Sequence, residues 1–591
     1  MPDRDPLAAV YAYHDQSKHR VDRYARSAGF LDWATQPDSF RTFRGAQRID
    51  LVEPFCGAAG GPRAEPLRTH PSSPDAAPLP SSPWSGLGTA LSYDALLAPS
   101  GPRVAPGLAA VSVFFRYSLG LSAWKQAGAV RWALRVNPSS GNLHPTEGYA
   151  LLGPGVVGGS PGVYHYAPDA HALEQRCLFP SEAWRAGMRT MPDGAFLAGL
   201  TSIHWREAWK YGERAFRYCQ HDVGHAMAAM RMAAALMGWR LRAVSSGASD
   251  SMAALLGTDR ADDFGEAERE EPACLCIVWP GSGRCDDPAD LHALADAVAK
   301  GAWSGRAKAL SPSRVQWDAI DAVADATRLP VATWLPAVPR QVAAAAAAAA
   351  AAPAPSLADR PAPYPALSAS ALLLQRRSAV AMDAERSIDR DRFLFILRRL
   401  MPGGHPPWDA LWWEPRVHLI LFVHRVEGLE PGLYAFARTP RAAAAMQRQF
   451  RSDFAWVRPA AVDEQMPLYL LERFDARRLS QQLSCGQTIA SDGFFSAGLL
   501  AEFDEALEAH GPSFYRHLFW EAGMLGQMLY LEAEAAGARG TGIGCFFDDA
   551  VHDVLGVKAH AFQSLYHFTV GMPVDDPRLQ SSPGYAWEAG A

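Results

Sequence analysis

The sequence predicts an α+β protein built from two similar domains in tandem. Short apolar runs such as "GYALLG", "VHLILFV", "LCIVW" and "HFTVGM" have the length and composition of strands. Two long segments rich in Ala, Met and Leu, at 216–240 and 515–539, are apolar nearly all round and predict buried helices. These two segments also match each other, which indicates an internal repeat.

A constant offset of 299 residues relates the two long segments. It pairs Arg217 with Arg516, Asp222 with Glu521, Gly224 with Gly523, Gly238 with Gly537, and Arg240 with Arg539. Upstream, "PGVYHY" corresponds to "PGLYAF", and "RYS" at 116–118 corresponds to "RRS" at 376–378. Because the order is the same in both halves, we predict a tandem duplication of one domain.

Two stretches of linker composition divide the chain. Polyalanine followed by Pro-rich sequence is typical of a tether, and a second Pro-rich stretch runs from 62 to 84. We therefore predict an N-terminal helical extension with its Pro-rich segment at 1–84, a first domain at 85–335, a linker at 336–365 and a second domain at 366–591.

Composition limits the classes of partner. The net charge of −6 over 591 residues, with no basic stripe, argues against nucleic acid. The start of the sequence has no apolar signal region, and no run of about 18 apolar residues is present to cross a membrane. Eight cysteines are too sparse for a disulfide framework. We expect a cytoplasmic protein without a membrane or nucleic-acid partner.

Histidines and cysteines raise the question of a metal site. "HDVGH" places His221 and His225 on one helical face, but a zinc protease motif needs Glu where Asp222 stands. Packed core histidines are therefore favoured over a zinc site. The cysteines at 274, 276 and 285 fit an apolar strand and its neighbourhood better than a metal site. No metal is predicted.

Four polar motifs carry the candidate chemistry. "NPSSGNLHP" at 137–145 is polar and rich in Pro and Gly, yet it leads directly into an apolar strand. "QRRSAVAMD" joins two Arg and a Ser, which suit a phosphate, although a solvated turn is the alternative. "GTGIGCF" follows a helix, so it is no dinucleotide fingerprint, but its glycines would let the backbone approach a flat ligand. "REAWKYGERAFRY" offers Lys210 and Tyr211 for acid–base work, or else is an amphipathic helix entry.

Taken in order, these motifs resemble the FMN-dependent nitroreductase superfamily. "NPSSGNLHP" resembles its Pro-Ser-Ser-x-Asn flavin loop, "RRS" its FMN phosphate site, and "TGIG" its second contact with the flavin ring. Within the superfamily, "SSGNLHPTEGY", "PGVYHYAPDAHALE" and "WKYGERAFRYCQHDVGH" resemble the SagB/ThcOx type, the azoline dehydrogenase-like proteins.

The resemblance implies a fold and an assembly. Its members have a central, mainly antiparallel sheet flanked by helices, and they form homodimers with FMN at the subunit interface. A tandem repeat would build that dimer inside one chain, as an intramolecular pseudo-dimer. The protein would then be a monomer or a higher oligomer of such chains.

The resemblance also assigns site residues, all to one hybrid FMN site between the halves. They are Arg376, Arg377 and Ser378 at the phosphate, Gly542, Ile543 and Gly544 at the ring, and Pro138, Ser139, Ser140 and Asn142 in the partner loop. Lys210 and Tyr211 match the Lys-Tyr pair that azoline dehydrogenases use catalytically. The repeat-related site would use Arg116 and Ser118, with "AVS" at 243–245 in place of the glycines and "PGGHPP" as its loop. We expect this second site to be weak or lost.

The implied activity is hydride transfer between FMN and an organic substrate, with Lys210 and Tyr211 moving the accompanying proton. Azoline-to-azole oxidation in a modified peptide, with O2 as the acceptor, is one such reaction. The alternatives are an NAD(P)H-dependent nitroreductase or ene-type reductase of small molecules, and a non-catalytic flavin-binding scaffold subunit.

Overall fold

The computed structural model describes residues 5–52, 91–97, 104–245, 247–281, 285, 287–288, 290–329, 368–460, 462–464 and 466–588. The predicted linker at 336–365 and the Pro-rich stretch at 62–84 lie outside the described residues. Both therefore stay predictions.

The first half alternates helices and strands. Its helices are α1 (Pro6–Gln16), α2 (Tyr93–Leu96), α3 (Leu108–Arg116), α4 (Ser181–Gly187), α5 (His204–Tyr211), α6 (Ala215–Leu236), α7 (Ser249–Leu256), α8 (Ala261–Phe264), α9 (Leu291–Ala299) and α10 (Asp318–Ala326). Its strands are β1 (Phe43–Arg44), β2 (Gln47–Asp50), β3 (Leu121–Ala127), β4 (Val130–Arg135), β5 (Thr146–Leu152), β6 (Gly162–Ala167), β7 (Ala172–Leu178), β8 (Phe196–Ser202), β9 (Trp239–Ala243), β10 (Glu271–Pro280), β11 (Ala302–Trp303) and β12 (Arg306–Ala307).

The second half follows the same plan. Its helices are α11 (Ala369–Gln375), α12 (Arg390–Arg399), α13 (Pro440–Gln449), α14 (Arg477–Leu483), α15 (Ile489–Asp492), α16 (Phe503–His510), α17 (Phe514–Ala535) and α18 (Asp548–Leu555). Its strands are β13 (Ile388–Asp389), β14 (Val417–Val423), β15 (Val426–Glu427), β16 (Gly432–Phe436), β17 (Leu468–Arg473), β18 (Phe495–Glu502), β19 (Arg539–Ile543), β20 (Phe562–Gly571) and β21 (Gln580–Ser582).

Each half has a central antiparallel sheet. The strand order is β7-β6-β5-β8-β10-β9 in the first half and β17-β16-β14-β18-β20-β19 in the second, with β2 and β11 added beside β7. The "PGVYHY" and "PGLYAF" strands, β6 and β16, take the same place in both orders. The predicted α+β fold with mainly antiparallel sheets is confirmed, and the shared order is what a duplicated domain predicts.

The sheets are buried on both faces. Along β5, Ala150 and Leu152 belong to the core cluster shared with α6, while Tyr149 and Leu151 belong to a second cluster on the opposite face. This is the two-residue alternation of a strand covered on both sides, and it explains why the strand sequence is continuously apolar.

The two halves meet along the helices α6 and α17, each of 22 residues and buried nearly throughout. They cross at repeat-related glycines. A Cβ on Gly224 would lie 2.1 Å from the carbonyl oxygen of Trp520, and a Cβ on Gly523 would lie 2.1 Å from that of His221. Only glycine permits this approach of the two backbones, so one core cluster runs through both halves.

Segments near each end of the chain pack against the opposite half. Near the C-terminus, β21 pairs with β3 of the first half. Near the N-terminus, the Tyr11 hydroxyl donates to Asp504 at 2.7 Å, and His14 Nε2 lies 2.9 Å from Gln563 Oε1. The segment before residue 84 is not helical throughout, because β2 joins the sheet of the first domain. In the described part of the chain, no helix is both long and apolar enough to cross a membrane.

Candidate functional site

A cavity of about 780 Å³ lies where the two halves meet. Its volume is in the range of small-molecule and cofactor sites. Ten of its lining residues are those predicted for the hybrid FMN site, and they come from both halves: Pro138, Ser139, Ser140, Asn142, Arg376, Arg377, Ser378, Gly542, Ile543 and Gly544. Tyr211 also lines the cavity. Residues more than 200 positions apart are thus brought together.

The Pro-Ser-Ser loop connects β4 to β5 and has an unusual backbone. Gly141, Asn142 and His144 have φ of +58°, +59° and +53°, a region that is costly for residues other than glycine. Hydrogen bonds within the loop and to β4 offset the cost of this backbone conformation. The Ser139 hydroxyl accepts from the His144 N–H at 2.8 Å, and Asn142 Nδ2 donates to the Ala133 carbonyl at 2.8 Å.

Asp222, on α6, holds the same loop in place by hydrogen bonds to Ser140. Its Oδ1 accepts from the Ser140 N–H at 3.2 Å and from the Ser140 hydroxyl at 3.4 Å. The side chain is buried. Burial raises the pKa of Asp222 to about 7, although the hydrogen bonds from Ser139 and Ser140 act in the opposite direction. The helix that joins the halves therefore also positions the Pro-Ser-Ser loop.

Lys210 and Tyr211 stand at the end of α5 and border the loop. The Lys210 Nζ lies 5.2 Å from the centre of the Tyr211 ring. A Cβ on Gly141 would lie 2.5 Å from Tyr211 Oη and 3.2 Å from Lys210 Nζ, so both groups touch the space that this glycine leaves open. Burial, and then the charge of Glu207, raise the pKa of Tyr211 well above its usual value, which keeps its hydroxyl protonated at neutral pH.

The contact at Gly141 gives a first testable prediction. Gly141→Ala is expected to displace Tyr211 and Lys210 and to lower turnover about 100-fold, the scale for misplacing a catalytic group by 1 Å. Gly128→Ala is the matched control, because Gly128 has φ +57° but no atom within 4 Å of the added Cβ. Steady-state rates of the two variants separate backbone strain from displacement. Equal rates would show that the Gly141 contact is irrelevant.

The part of the cavity around Arg376 and Arg377 is strongly basic. Arg376 and Arg377 are buried, and the Arg376 Nη1 has no hydrogen-bond partner among the described residues. Burial and the neighbouring Arg376 charge lower the pKa of Arg377 to about 9. Lys125 and Arg539 line the same part, and the pKa of Lys125 is lowered by burial and by the charges of Arg377 and Arg539. Such a cluster, with an unpartnered guanidinium nitrogen, suits a phosphate.

The glycines of "TGIG" lie in β19 and just after it. A Cβ on Gly542 would lie 1.9 Å from Tyr566 Oη, and one on Gly544 would lie 2.5 Å from Tyr218 Cε1. The space expected for a flat ligand is thus partly taken by two tyrosine rings, which themselves line the cavity. The glycines are needed for this packing as well as for any close contact with a ligand.

The comparisons with known proteins agree with this geometry. Residues 418–572 match the model of the nitroreductase family. The matched segment lies in the second half of the chain. The solved structure of an Anabaena variabilis protein described as a nitroreductase is similar over 96% of this chain and 99% of that chain, with 20% identity and a TM-score of 0.64. That likeness covers both halves and shows the same fold.

Two further relatives are named for peptide products. The trifolitoxin-processing protein TfxB of Rhizobium leguminosarum bv. trifolii is 32% identical over 111 residues, which are 17% of this chain. The match spans 29% of the length of that relative. A chain of the Escherichia coli microcin synthetase McbBCD complex aligns with 15% identity over 48% of this chain and 95% of its own length, with a TM-score of 0.25.

The repeat-related position in the nitroreductase fold is filled by the protein itself. The Arg116 guanidinium is paired with the Glu588 carboxylate, and it lies 5.1 Å from the ring centre of Tyr585 and 5.8 Å from that of Trp587. At the position of the missing glycines, the Ser245 N–H donates to Asp287 at 2.9 Å. Arg116, which was predicted for the second site, thus already has a carboxylate partner.

The histidines of "HDVGH" pack against tyrosine in this family fold. His221 stacks on Tyr566 with ring centres 4.4 Å apart, and His225 Nε2 lies 3.2 Å from Tyr566 Oη. Burial lowers the pKa of His225 to about 3, so its ring is neutral. No group of three or more potential metal ligands was found in the part of the chain that the structure describes.

Sequence reasoning missed several residues of the nitroreductase-domain cavity. Lys125 is on β3, in a strand that reads as an ordinary edge strand, and Tyr530 and Tyr566 read as core aromatics. In the sequence, Asp222 stands out only as the repeat partner of Glu521 and as the acid beside His221. Its retention as an acid in a helix apolar on all sides was the one available signal, because a buried acid needs a reason.

Proposed function

We propose that this chain binds one FMN in the cavity between its halves and uses it to oxidise an organic substrate. The observation that carries the proposal is the convergence of the predicted phosphate, ring and loop residues, from two halves, on a single cavity. The unpartnered Arg376 nitrogen and the excess of cations around it fit a phosphorylated ligand, while Glu534 and Asp575 offset part of this positive charge.

The proposed site divides its work between the halves. Arg376, Arg377 and Ser378 of the second half would hold the phosphate, with Lys125 and Arg539 adding positive charge. The loop at 138–142 and the segment at 542–544 would border the ring from opposite sides. Bound FMN would supply the two-electron chemistry, while the protein supplies binding, orientation and electrostatics.

Lys210 and Tyr211 would handle the proton of the reaction. In the proposed oxidation the substrate loses a hydride and a proton. Tyr211 offers a hydroxyl that stays protonated, and the Lys210 amine adjoins it. Together they would orient the substrate beside the loop and relay its proton, each group passing on one proton as it receives another.

We propose an azoline in a modified peptide as the substrate, which would become the aromatic azole. The support is the Lys-Tyr pair at the loop and the likeness to a protein named for processing trifolitoxin. The test is anaerobic mixing with a thiazoline-containing peptide, which is expected to bleach the flavin absorbance and leave a peptide lighter by two hydrogens. Bleaching by NADPH with no effect of the peptide would instead favour a reductase of small molecules.

The pairing of Arg116 with Glu588 predicts how many FMN molecules each chain binds. The purified protein is expected to be yellow and to release one FMN per chain on denaturation, since Arg116 already has the Glu588 carboxylate as its anion. Absorbance of the released FMN against protein concentration measures this ratio. Two FMN per chain would contradict the account of the second site, and a colourless protein that FMN does not stabilise would indicate a scaffold.

A further inference from the structure

Two buried carboxyl groups lie next to the proposed site without a cation bonded to them. Glu207 on α5 is 0% exposed and Asp222 on α6 is 1% exposed. Among the described residues, neither oxygen of Glu207 nor Oδ2 of Asp222 has a partner at good hydrogen-bond geometry, and the Ser139 hydroxyl is the polar group close enough to lower the pKa of both acids. Burying an ionised carboxylate in this way is costly, so such groups usually keep their proton or have a function.

Several other buried acids of the protein have arginine partners. Asp548 is paired with Arg214 at 2.9 Å and with Arg217 at 2.6 Å. The comparison with Glu521 is the most direct, because Glu521 is the repeat partner of Asp222. It is paired with Arg438 and accepts from the N–H groups at 416 and 417. Asp222 is also an acid, but it has no arginine partner that corresponds to Arg438. Its carboxylate instead accepts a hydrogen bond from the Ser140 N–H in the loop.

Burial and mutual repulsion favour a shared proton. The pKa of Glu207 is raised well above its usual value by burial and then by the Asp222 charge, while Lys210 acts in the opposite direction. Burial raises the pKa of Asp222 to about 7. Two carboxylates that repel each other in a dry site do not both ionise easily, and the two protons belong to the pair as a whole.

The groups around the pair connect it to the reacting end of the cavity. On α5 these are Lys210 and Tyr211. On α6 the group is Cys219, in the loop they are Ser139 and Ser140, and on β20 the group is Tyr566. Lys210 and the loop serines lower the pKa values of the two carboxyl groups, and the carboxylate charges raise the pKa values of Tyr211, Cys219 and Tyr566. Lys210 is the cation among these neighbours, and it adjoins Gly141 together with Tyr211.

We propose that Glu207 and Asp222 form a carboxyl pair that holds one proton and serves Lys210 and Tyr211 as their proton store. The pair positions Lys210 and Tyr211 and exchanges protons with them, so it acts on the substrate only through these two residues. This inference rests on the proposed function. In the proposed oxidation, the hydride leaves the substrate with its electron pair for the flavin. The proton passes through Lys210 and Tyr211 to the pair, which changes from one bound proton to two.

The first test needs no flavin. Infrared difference spectra of the FMN-free protein are taken at neutral pH for the wild type against Asp222→Asn with Glu207→Gln. We expect the wild type to show an additional protonated carboxylic acid that the double variant lacks. The comparison is made by difference because burial also raises the pKa of Glu534 to about 7. If the two proteins show the same carboxylic acid signal, the pair holds no proton and the proposal is overturned.

The second test follows the rate of flavin reduction by substrate against pH. A pair that already holds two protons cannot accept another, so the wild-type rate is expected to fall as the pH drops through about 7, where Asp222 titrates. Asp222→Asn is expected to shift this acid limb by about one pH unit or more, because it removes one member of a coupled pair. Asp222→Glu is expected to restore the limb, which a purely structural role would not require.

The outcomes are distinct. An acid limb at the same pH in the wild type, Asp222→Asn and Glu207→Gln would overturn the proton store, even if all rates were lower. Failure of the wild type to bind FMN would refute the proposed function alone, because the infrared comparison would still report the shared proton. Thermal unfolding of each variant without FMN identifies those that lose the fold, and where only the double variant fails to fold, the single variants Asp222→Asn and Glu207→Gln take its place.

Discussion

Lys210→Ala is expected to lower the rate of substrate-dependent flavin reduction about 10²- to 10⁴-fold, the usual contribution of a positioned acid–base group. FMN should stay bound, because the residues proposed to hold its phosphate lie in the second half. Tyr211→Phe is expected to show a similar loss, since it removes the hydroxyl and keeps the ring that packs edge-on against Tyr218 at 4.7 Å. Stopped-flow absorbance under anaerobic conditions measures the reduction step itself.

The control for this pair is Lys300→Ala, which removes an exposed lysine at the end of α9, far along the first half. It is expected to reduce flavin at the wild-type rate. FMN affinity is measured for each variant by quenching of FMN fluorescence, so that a lost rate is not confused with a lost cofactor. Turnover that survives Lys210→Ala would remove the Lys-Tyr pair from the mechanism.

Removing Arg376 is expected to weaken FMN binding about 10- to 100-fold. A hydrogen bond to a charged group contributes about 1.5 to 3 kcal/mol, and each 1.4 kcal/mol is a factor of about ten in affinity. Ser139→Ala combined with Ser140→Ala should also weaken binding, although these residues belong to the other half of the chain. Titration of the FMN-free protein with FMN, followed by fluorescence, gives the dissociation constants.

Comparing the FMN affinities of these two variants tests the hybrid site most directly. If one FMN touches both halves, Arg376→Ala and the double serine variant should each lower the affinity of the same single site. Arg185→Ala, which alters an arginine 71% exposed on α4, serves as the control and should bind FMN as the wild type does. An unchanged affinity in the double serine variant would refute the assignment of the loop to this site.

Much of the fold could be predicted because its elements carry strong local patterns. The strands β5, β10, β14 and β20 are continuous apolar runs, and α6 and α17 are apolar on all sides. The pairing of β2 with β7 could not be predicted, because Gln47–Asp50 is polar and its strand is set only by the sheet edge that receives it. The same holds for β21, which depends on β3 of the distant first half.

The site was predictable where a motif could be matched to the family, and less so where burial decides the chemistry. In "REAWKYG", Glu207 reads as the exposed acid of an amphipathic helix, yet the structure buries it against α6 and the loop. The role of Lys125 depends on Arg377 and Arg539, which come from the other half. The glycines of "TGIG" suggested room for a flat ligand, whereas two tyrosine rings fill part of that room.

The crossing of α6 and α17 has a consequence for how this protein can evolve. In a homodimer encoded by one gene, each substitution appears in both subunits, so a residue that packs in one copy cannot become a reactive group in the other. Here each position of the crossing is inherited separately. Asp222 can therefore bind the loop without an arginine partner, while Glu521 pairs with Arg438 in its own half. In a single chain, one member of a repeat-related pair can thus change its contacts without altering those of the other.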